Sequence, residues 1–170
     1  MVTNALPGTY LLILEVREFA SIQAGSLGPL EVRPGFYLYA GSAFGPGGLP
    51  GRLAHHLRPT EKVHWHIDAL RLAGQVVEIW LTQDPRCLEH DWFSALQLAF
   101  KDQPGSRVPY PGFGSSDCVC PAHLYYLPAR PDFQVFCAGL LELVPDHAPV
   151  YQVFPAGGAG AEPGEAEADF

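Results

Sequence analysis

Gly8-Thr9-Tyr10-Leu-Leu-Ile-Leu-Glu-Val16 and Gly35-Phe-Tyr-Leu-Tyr39-Ala40 are the two stretches on which the reading of the fold turns. Both are apolar and aromatic, contain no proline and show no helical spacing, so each reads as a strand: Tyr10 to Val16 as a buried one, and Gly35 to Ala40 as another. Side chains on one face of a strand recur every second residue. If the two strands are neighbours, the phenols of Tyr10 and Tyr39 share a surface. Between them, Ala20 to Gln23 and Leu27 to Val32 are shorter strand candidates, parted by Gly25 and the Gly28-Pro29 turn signal. Together these segments are expected to form an antiparallel meander.

Outward from this core the chain turns helical. The glycine-rich stretch Phe44 to Gly48 leads into a helix from Leu49 to Leu57, which Pro59 ends. Arg52 and His56 lie one turn apart on it and share a face. His64 to Leu72 reads as a short helix, Val76 to Thr82 as a strand, and Cys87 to Phe100 as the longest helix, with Leu88, Trp92, Ala95, Leu96 and Ala99 on one stripe. The Pro-, Gly- and Ser-rich run Asp102 to Ser116 is a loop. His123 to Leu127 is strand-like, and Phe133 to Leu143 suits either a helix or a strand. The expected fold class is α+β: a small, mainly antiparallel sheet flanked by helices over residues 1–154. Residues 155–170, built of Ala, Gly, Pro and Glu, are expected to be a disordered acidic tail.

Composition bounds the function. With 170 residues, 48% of them hydrophobic and 12% aromatic, the chain suits one domain with a real core. No apolar run approaches the ~20 residues of a membrane span. The first residues lack a basic start and an apolar stretch, so the expected location is the cytoplasm. There the four cysteines are expected as thiols or metal ligands rather than disulfides. The net charge of −8 argues against tight, sequence-indifferent binding to long duplexes, although half of it lies in Glu162, Glu165, Glu167 and Asp169. Arg52, Arg58 and Lys62 form the one local basic cluster.

The order Gly8-Thr9-Tyr10, Tyr39-Ala-Gly-Ser-Ala43 and Arg52-x-x-x-His56 resembles the GIY-YIG nuclease superfamily. The run Tyr39 to Arg58, with His64-Trp-His-Ile-Asp68 and Phe113-Gly-Ser-Ser-Asp-Cys-x-Cys-x-x-His-Leu124, resembles an uncharacterised branch of it, over roughly residues 7 to 127. The resemblance implies a metal-dependent endonuclease acting on DNA rather than RNA. Relatives joined to a DNA-repair glycosylase of the endonuclease III type suggest, by association, a repair setting. In that pattern Tyr10 and Tyr39 position and deprotonate water, Arg52 holds the phosphate, His56 assists, and a helix glutamate binds Mg²⁺ or Mn²⁺. In the wider superfamily the tyrosine motifs are close together; here 28 residues separate them, as an extra hairpin would explain.

The residues themselves allow plainer readings. Tyrosines commonly pack a sheet face, and an ordinary phenol is a poor base near neutral pH, so the catalytic role needs Arg52 or a metal to stabilise phenolate. Glu89 is the expected metal carboxylate, yet a glutamate in a first helical turn also simply suits the helix dipole, and Glu78 is a rival. An exposed, solvated imidazole is the plain reading of His55 and of His56. Asp117-Cys118-Val-Cys120-Pro-Ala-His123 offers three zinc ligands where a structural site wants four, with His64 or His66 as completions. The spacing matches no common zinc module, so thiols beside a hydrogen-bonded histidine are expected and zinc is not. Ser115, Ser116 and Asp117 would cap a helix or line the pocket, and His66 would support the site from outside it. The alternative function is a catalytically inactive module that binds nucleic acid or protein on the same scaffold.

Overall fold

In the computed structural model, which describes residues 6–60, 62–116 and 118–156, both stretches are eight-residue strands lying side by side. The strands are β1 (Thr9–Val16), β2 (Ala20–Gln23), β3 (Pro29–Val32), β4 (Gly35–Ser42), β5 (Gln75–Thr82), β6 (Leu124–Leu127) and β7 (Val150–Val153). The helices are α1 (Gly48–Leu57), α2 (His66–Arg71), α3 (Glu89–Phe100) and α4 (Phe133–Leu143). A five-stranded sheet runs β6-β4-β1-β5-β7 with every pairing antiparallel, so the class is α+β. β1 is central and buried almost throughout. Its unbroken run Tyr-Leu-Leu-Ile-Leu, without polar alternation, follows from burial on both faces.

The expected meander is corrected. β2 and β3 leave the main sheet as a separate two-stranded unit, bridged by a 3-10 turn at Gly25–Leu27, so β4 returns directly beside β1. The segment between the tyrosine motifs is therefore an inserted hairpin that leaves their pairing intact. Part of the Leu27–Val32 candidate belongs to that turn, because Gly28 takes φ +71° and breaks the strand ahead of Pro29.

α3 and α4 pack together against the sheet. Trp80 of β5 meets Phe136 at 4.9 Å between ring centres and Phe133 at 5.3 Å, while Trp92 of α3 meets Phe136 at 5.2 Å. These aromatic contacts add to area burial, and Gly139 lets α4 approach the Ala95 backbone closely. The open choice for Phe133–Leu143 resolves as helix. Asp132 caps it, its Oδ1 accepting from the N–H of Gln134 at 2.8 Å and of Val135 at 3.1 Å. β7 had no counterpart among the expected elements. On α2, Ile67, Ala69 and Leu70 are buried, whereas Trp65 ahead of it and Leu72 behind it are exposed. The expected tail falls almost wholly on residues 157–170, outside the described residues. Among the described residues no helix is long and apolar enough to cross a membrane.

Candidate active site

The register of β1 and β4 sets Tyr10 opposite Gly41 and Leu12 opposite Tyr39, so the two phenols occupy one face two residues apart. Gly41 makes this possible: a Cβ there would stand 2.4 Å from Cζ of Tyr10. His56 of α1 fits between the rings, its centre 5.5 Å from that of Tyr10 and 6.5 Å from that of Tyr39. The hydroxyl of Tyr10 lies 2.8 Å from His56 Nε2. The solvated reading of His56 is overturned, since the residue is only 2% exposed. Burial first, then the charges of Arg71 and His55, hold its pKa down to about 3, so the imidazole is neutral at physiological pH. Tyr10 then donates to Nε2 and the ring proton sits on Nδ1, which finds no acceptor among the described residues.

Tyr10, Tyr39, Arg52, His56 and Glu89 line one cleft of about 260 Å³, joined by Ser42, Trp65, Gly114, Cys118 and His123. The two phenols and the guanidinium do converge. They are unequal, because Tyr10 is 2% exposed while Tyr39 is half-buried and open to the cleft. The expectation that Arg52 stabilises phenolate is not met. For Tyr10, burial and then the charge of Tyr39 outweigh Arg52; for Tyr39, burial and then Glu89 do so, and both phenol pKa values end above the ordinary range. Both hydroxyls are therefore neutral donors.

Arg52 is steadied by Trp65, its guanidinium carbon 4.7 Å from the ring centre. Asp68 fixes Trp65. Fully buried, it accepts from the backbone N–H of His64 and of Trp65 at 3.0 Å each, meets Arg71 at 3.4 Å and lies 3.2 Å from Nε2 of His55. Burial raises the Asp68 pKa, but the two N–H donors and His55 more than offset it, and the net shift is downward.

Glu89 points from the start of α3 at the sheet. Ser42 Oγ donates to its Oε2 at 2.9 Å, and His123 Nδ1 stands 2.8 Å from its Oε1 as an ion-pair contact outside hydrogen-bond geometry. Burial raises its pKa, and His123 and then Ser42 reverse this to a net fall, so the carboxylate is ionised. His123 shifts the other way: burial lowers its pKa, Glu89 and then Cys118 outweigh this, and the net direction is up. The rival Glu78 does not line the cleft; it pairs with Arg130 at 3.0 Å and accepts from Trp80 and Gln152.

Cys118 Sγ lies 3.2 Å from His123 Nε2, the expected thiol beside a histidine, with Cys120 close by and both thiols half-buried. Neither proposed completion reaches them. His66 Nδ1 accepts from the N–H of Gly114 at 3.0 Å, which supports the loop bordering the cleft, and His64 lines a separate hollow. Ser116 is exposed in a turn and, among the described residues, neither caps a helix nor borders the cleft. Asp117 lies outside the described residues. The basic cluster is partly as expected: Arg58 and Lys62 join Arg71, His55 and His64 around a second hollow of about 350 Å³, while Arg52 faces the phenol cleft. Sequence reasoning passed over Ser42 and Trp65 as site residues, although both stand inside the quoted motifs; nothing local marks a serine or a tryptophan as a cleft wall.

An α+β domain with one ionised carboxylate, one guanidinium and two neutral phenols around a polar cleft defines the class of protein. The chain belongs to the family described as Domain of unknown function DUF123, which matches residues 9–144. No curated protein and no solved structure matches it.

Proposed function

We propose that this protein is a metal-dependent endonuclease of the GIY-YIG kind, cleaving phosphodiester bonds in DNA. The observation that carries the reading is the convergence of Tyr39, the Tyr10–His56 pair, Arg52 and Glu89 on a single open cleft. The guanidinium of Arg52, held against Trp65, suits a phosphate by paired N–H donors. The neutral hydroxyl of Tyr39 orients a water or a phosphate oxygen by hydrogen bonding. Behind it, Tyr10 and His56 hold each other in one orientation.

Glu89 is the one carboxylate among the described residues that lines this cleft, and it is ionised. A single carboxylate, with substrate phosphate oxygens and waters completing the shell, fits Mg²⁺ or Mn²⁺. Glu89 would hold such an ion, which would supply Lewis-acid activation of water and charge neutralisation at the phosphate. Arg58 and Lys62 at the neighbouring hollow give a short path for a nucleic-acid backbone despite the acidic chain.

Incubating the full chain with single-stranded, duplex and branched DNA, and with RNA, in Mg²⁺ or Mn²⁺ tests the proposal. Cleavage is expected with metal only, and Arg52→Ala or Glu89→Gln should lower its rate by about 100-fold or more. A second reading, an inactive binding module, is favoured by the seclusion of Tyr10 and by the engagement of both Glu89 oxygens. Folded, inactive protein whose salt-sensitive DNA affinity falls on Arg58→Ala would establish that reading instead.

A further inference from the structure

Beside the cleft, His90 on the first turn of α3 faces the loop that carries Cys118, Cys120 and His123. One ligand atom from each of these four residues lies within 4.8 Å of every other. Zinc bonds of about 2.3 Å to sulfur and 2.0–2.1 Å to nitrogen set tetrahedral edges of roughly 3.3–3.8 Å. Cys118 Sγ and His123 Nε2, 3.2 Å apart, already stand near one such edge. Small rotations of exposed His90 and half-buried Cys120 close the remainder. We propose that His90, Cys118, Cys120 and His123 form a tetrahedral site for a divalent cation of the zinc class, distinct from the Mg²⁺ or Mn²⁺ position at the phenol cleft.

Three features beyond ligand type support it. The backbone is held from both sides, which brings the loop to α3 in a defined shape. His123 N–H donates to Phe113 O at 2.7 Å, Ala40 N–H donates to His123 O at 2.9 Å, and Gly112 N–H donates to Pro121 O at 2.6 Å. Cys118 lies in a bend and Cys120 in irregular chain, not in a strand, so a Cys-x-Cys pair can turn both thiols to one point. Finally, His123 meets the cluster through Nε2 and Glu89 through Nδ1, at 3.2 Å and 2.8 Å. A carboxylate behind a ligating imidazole is the usual way a metal-bound histidine is oriented.

Two thiolates would balance the charge of the ion, with both thiol protons released to solvent on binding. The cation would tie the loop before β6 to the start of α3 and so hold Glu89 at the cleft wall. The other compact group of donors, His55, His56 and Asp68, has only three members and is met by the guanidinium of Arg71, which disfavours a cation there. The expectation against zinc rested on a spacing that matches no common zinc module, with His64 or His66 as the completions; His90, 28 residues upstream of Cys118, stands with the cluster instead.

The test uses the full chain, reduced and stripped of metal, titrated with Co²⁺ as a spectroscopic probe and then with Zn²⁺. One equivalent of Co²⁺ is expected to give intense tetrahedral ligand-field bands with thiolate charge transfer, which Zn²⁺ abolishes. His90→Ala, at an exposed position that leaves the core intact, should weaken binding at least 10-fold, and Glu89→Gln by 10–100-fold. Cys118→Ser with Cys120→Ser should remove the thiolate bands. Folded wild-type protein without tetrahedral bands would overturn the assignment, as would unchanged affinity in His90→Ala. The readout is a spectrum, so it stands or falls separately from DNA cleavage.

Discussion

At the residue scale the decisive unit is Tyr10 with His56. Neither carries charge, and each satisfies the other inside a wall that water scarcely reaches. Removing the hydroxyl leaves Nε2 of His56 unpaired. Tyr10→Phe should therefore cost about 1–3 kcal/mol in urea unfolding. Tyr39→Phe, at the half-open position, should cost less stability and act mainly on the proposed DNA cleavage. Gly41 carries a comparable burden by its lack of a side chain. Gly41→Ala drives a methyl into the Tyr10 ring and should destabilise by about 1–3 kcal/mol, read from the same unfolding midpoints.

At the scale of elements, α2 is six residues long and owes its place to one carboxylate. Asp68 satisfies the backbone at its start and the guanidinium of Arg71 together, and so sets Trp65 beneath Arg52. Asp68→Ala takes the counter-ion from Arg71, which is largely buried and keeps only the carbonyl of Arg58, and a loss of about 3 kcal/mol is expected in denaturant unfolding. The exposed cap Asp132 of α4 should matter less, with Asp132→Ala costing about 1 kcal/mol. The hairpin of β2 and β3 shows why a long gap between the tyrosine motifs is harmless: β4 comes back antiparallel to β1 whatever length of chain lies between.

The whole molecule carries a pH dependence. In the folded state His56 is held near a pKa of about 3, against an ordinary value of 6.5, so the unfolded chain binds more protons between those limits. Stability is then full above pH 6.5 and falls as the pH drops through that window. His66 shifts in the same direction. His123 shifts oppositely, its contribution being present below pH 6.5 and lost as the pH rises through its raised folded value. The carboxylates of Asp68 and Glu89, both lowered, act only in more acidic solution. Between about pH 6.5 and 4.5 the loss should reach about 2–3 kcal/mol, measured by denaturant unfolding at each pH. Much of that slope should vanish in His56→Gln; an undiminished slope would assign it elsewhere.

Strands, helix starts and the shared face of Arg52 and His56 were legible in the chain, because apolar period, proline, glycine and one-turn spacing act over a few residues. The tyrosine strands were expected as neighbours within a meander; they are neighbours, but by direct pairing of β1 with β4 once β2 and β3 leave the sheet. Tertiary structure alone decided that Tyr10 is sealed against His56, that both phenols stay protonated, and that Glu89 answers to Ser42 and His123. It also decided that His90 joins Cys118, Cys120 and His123. Proton affinity and ligand geometry depend on desolvation and on distances between residues far apart in sequence, and no local pattern encodes either.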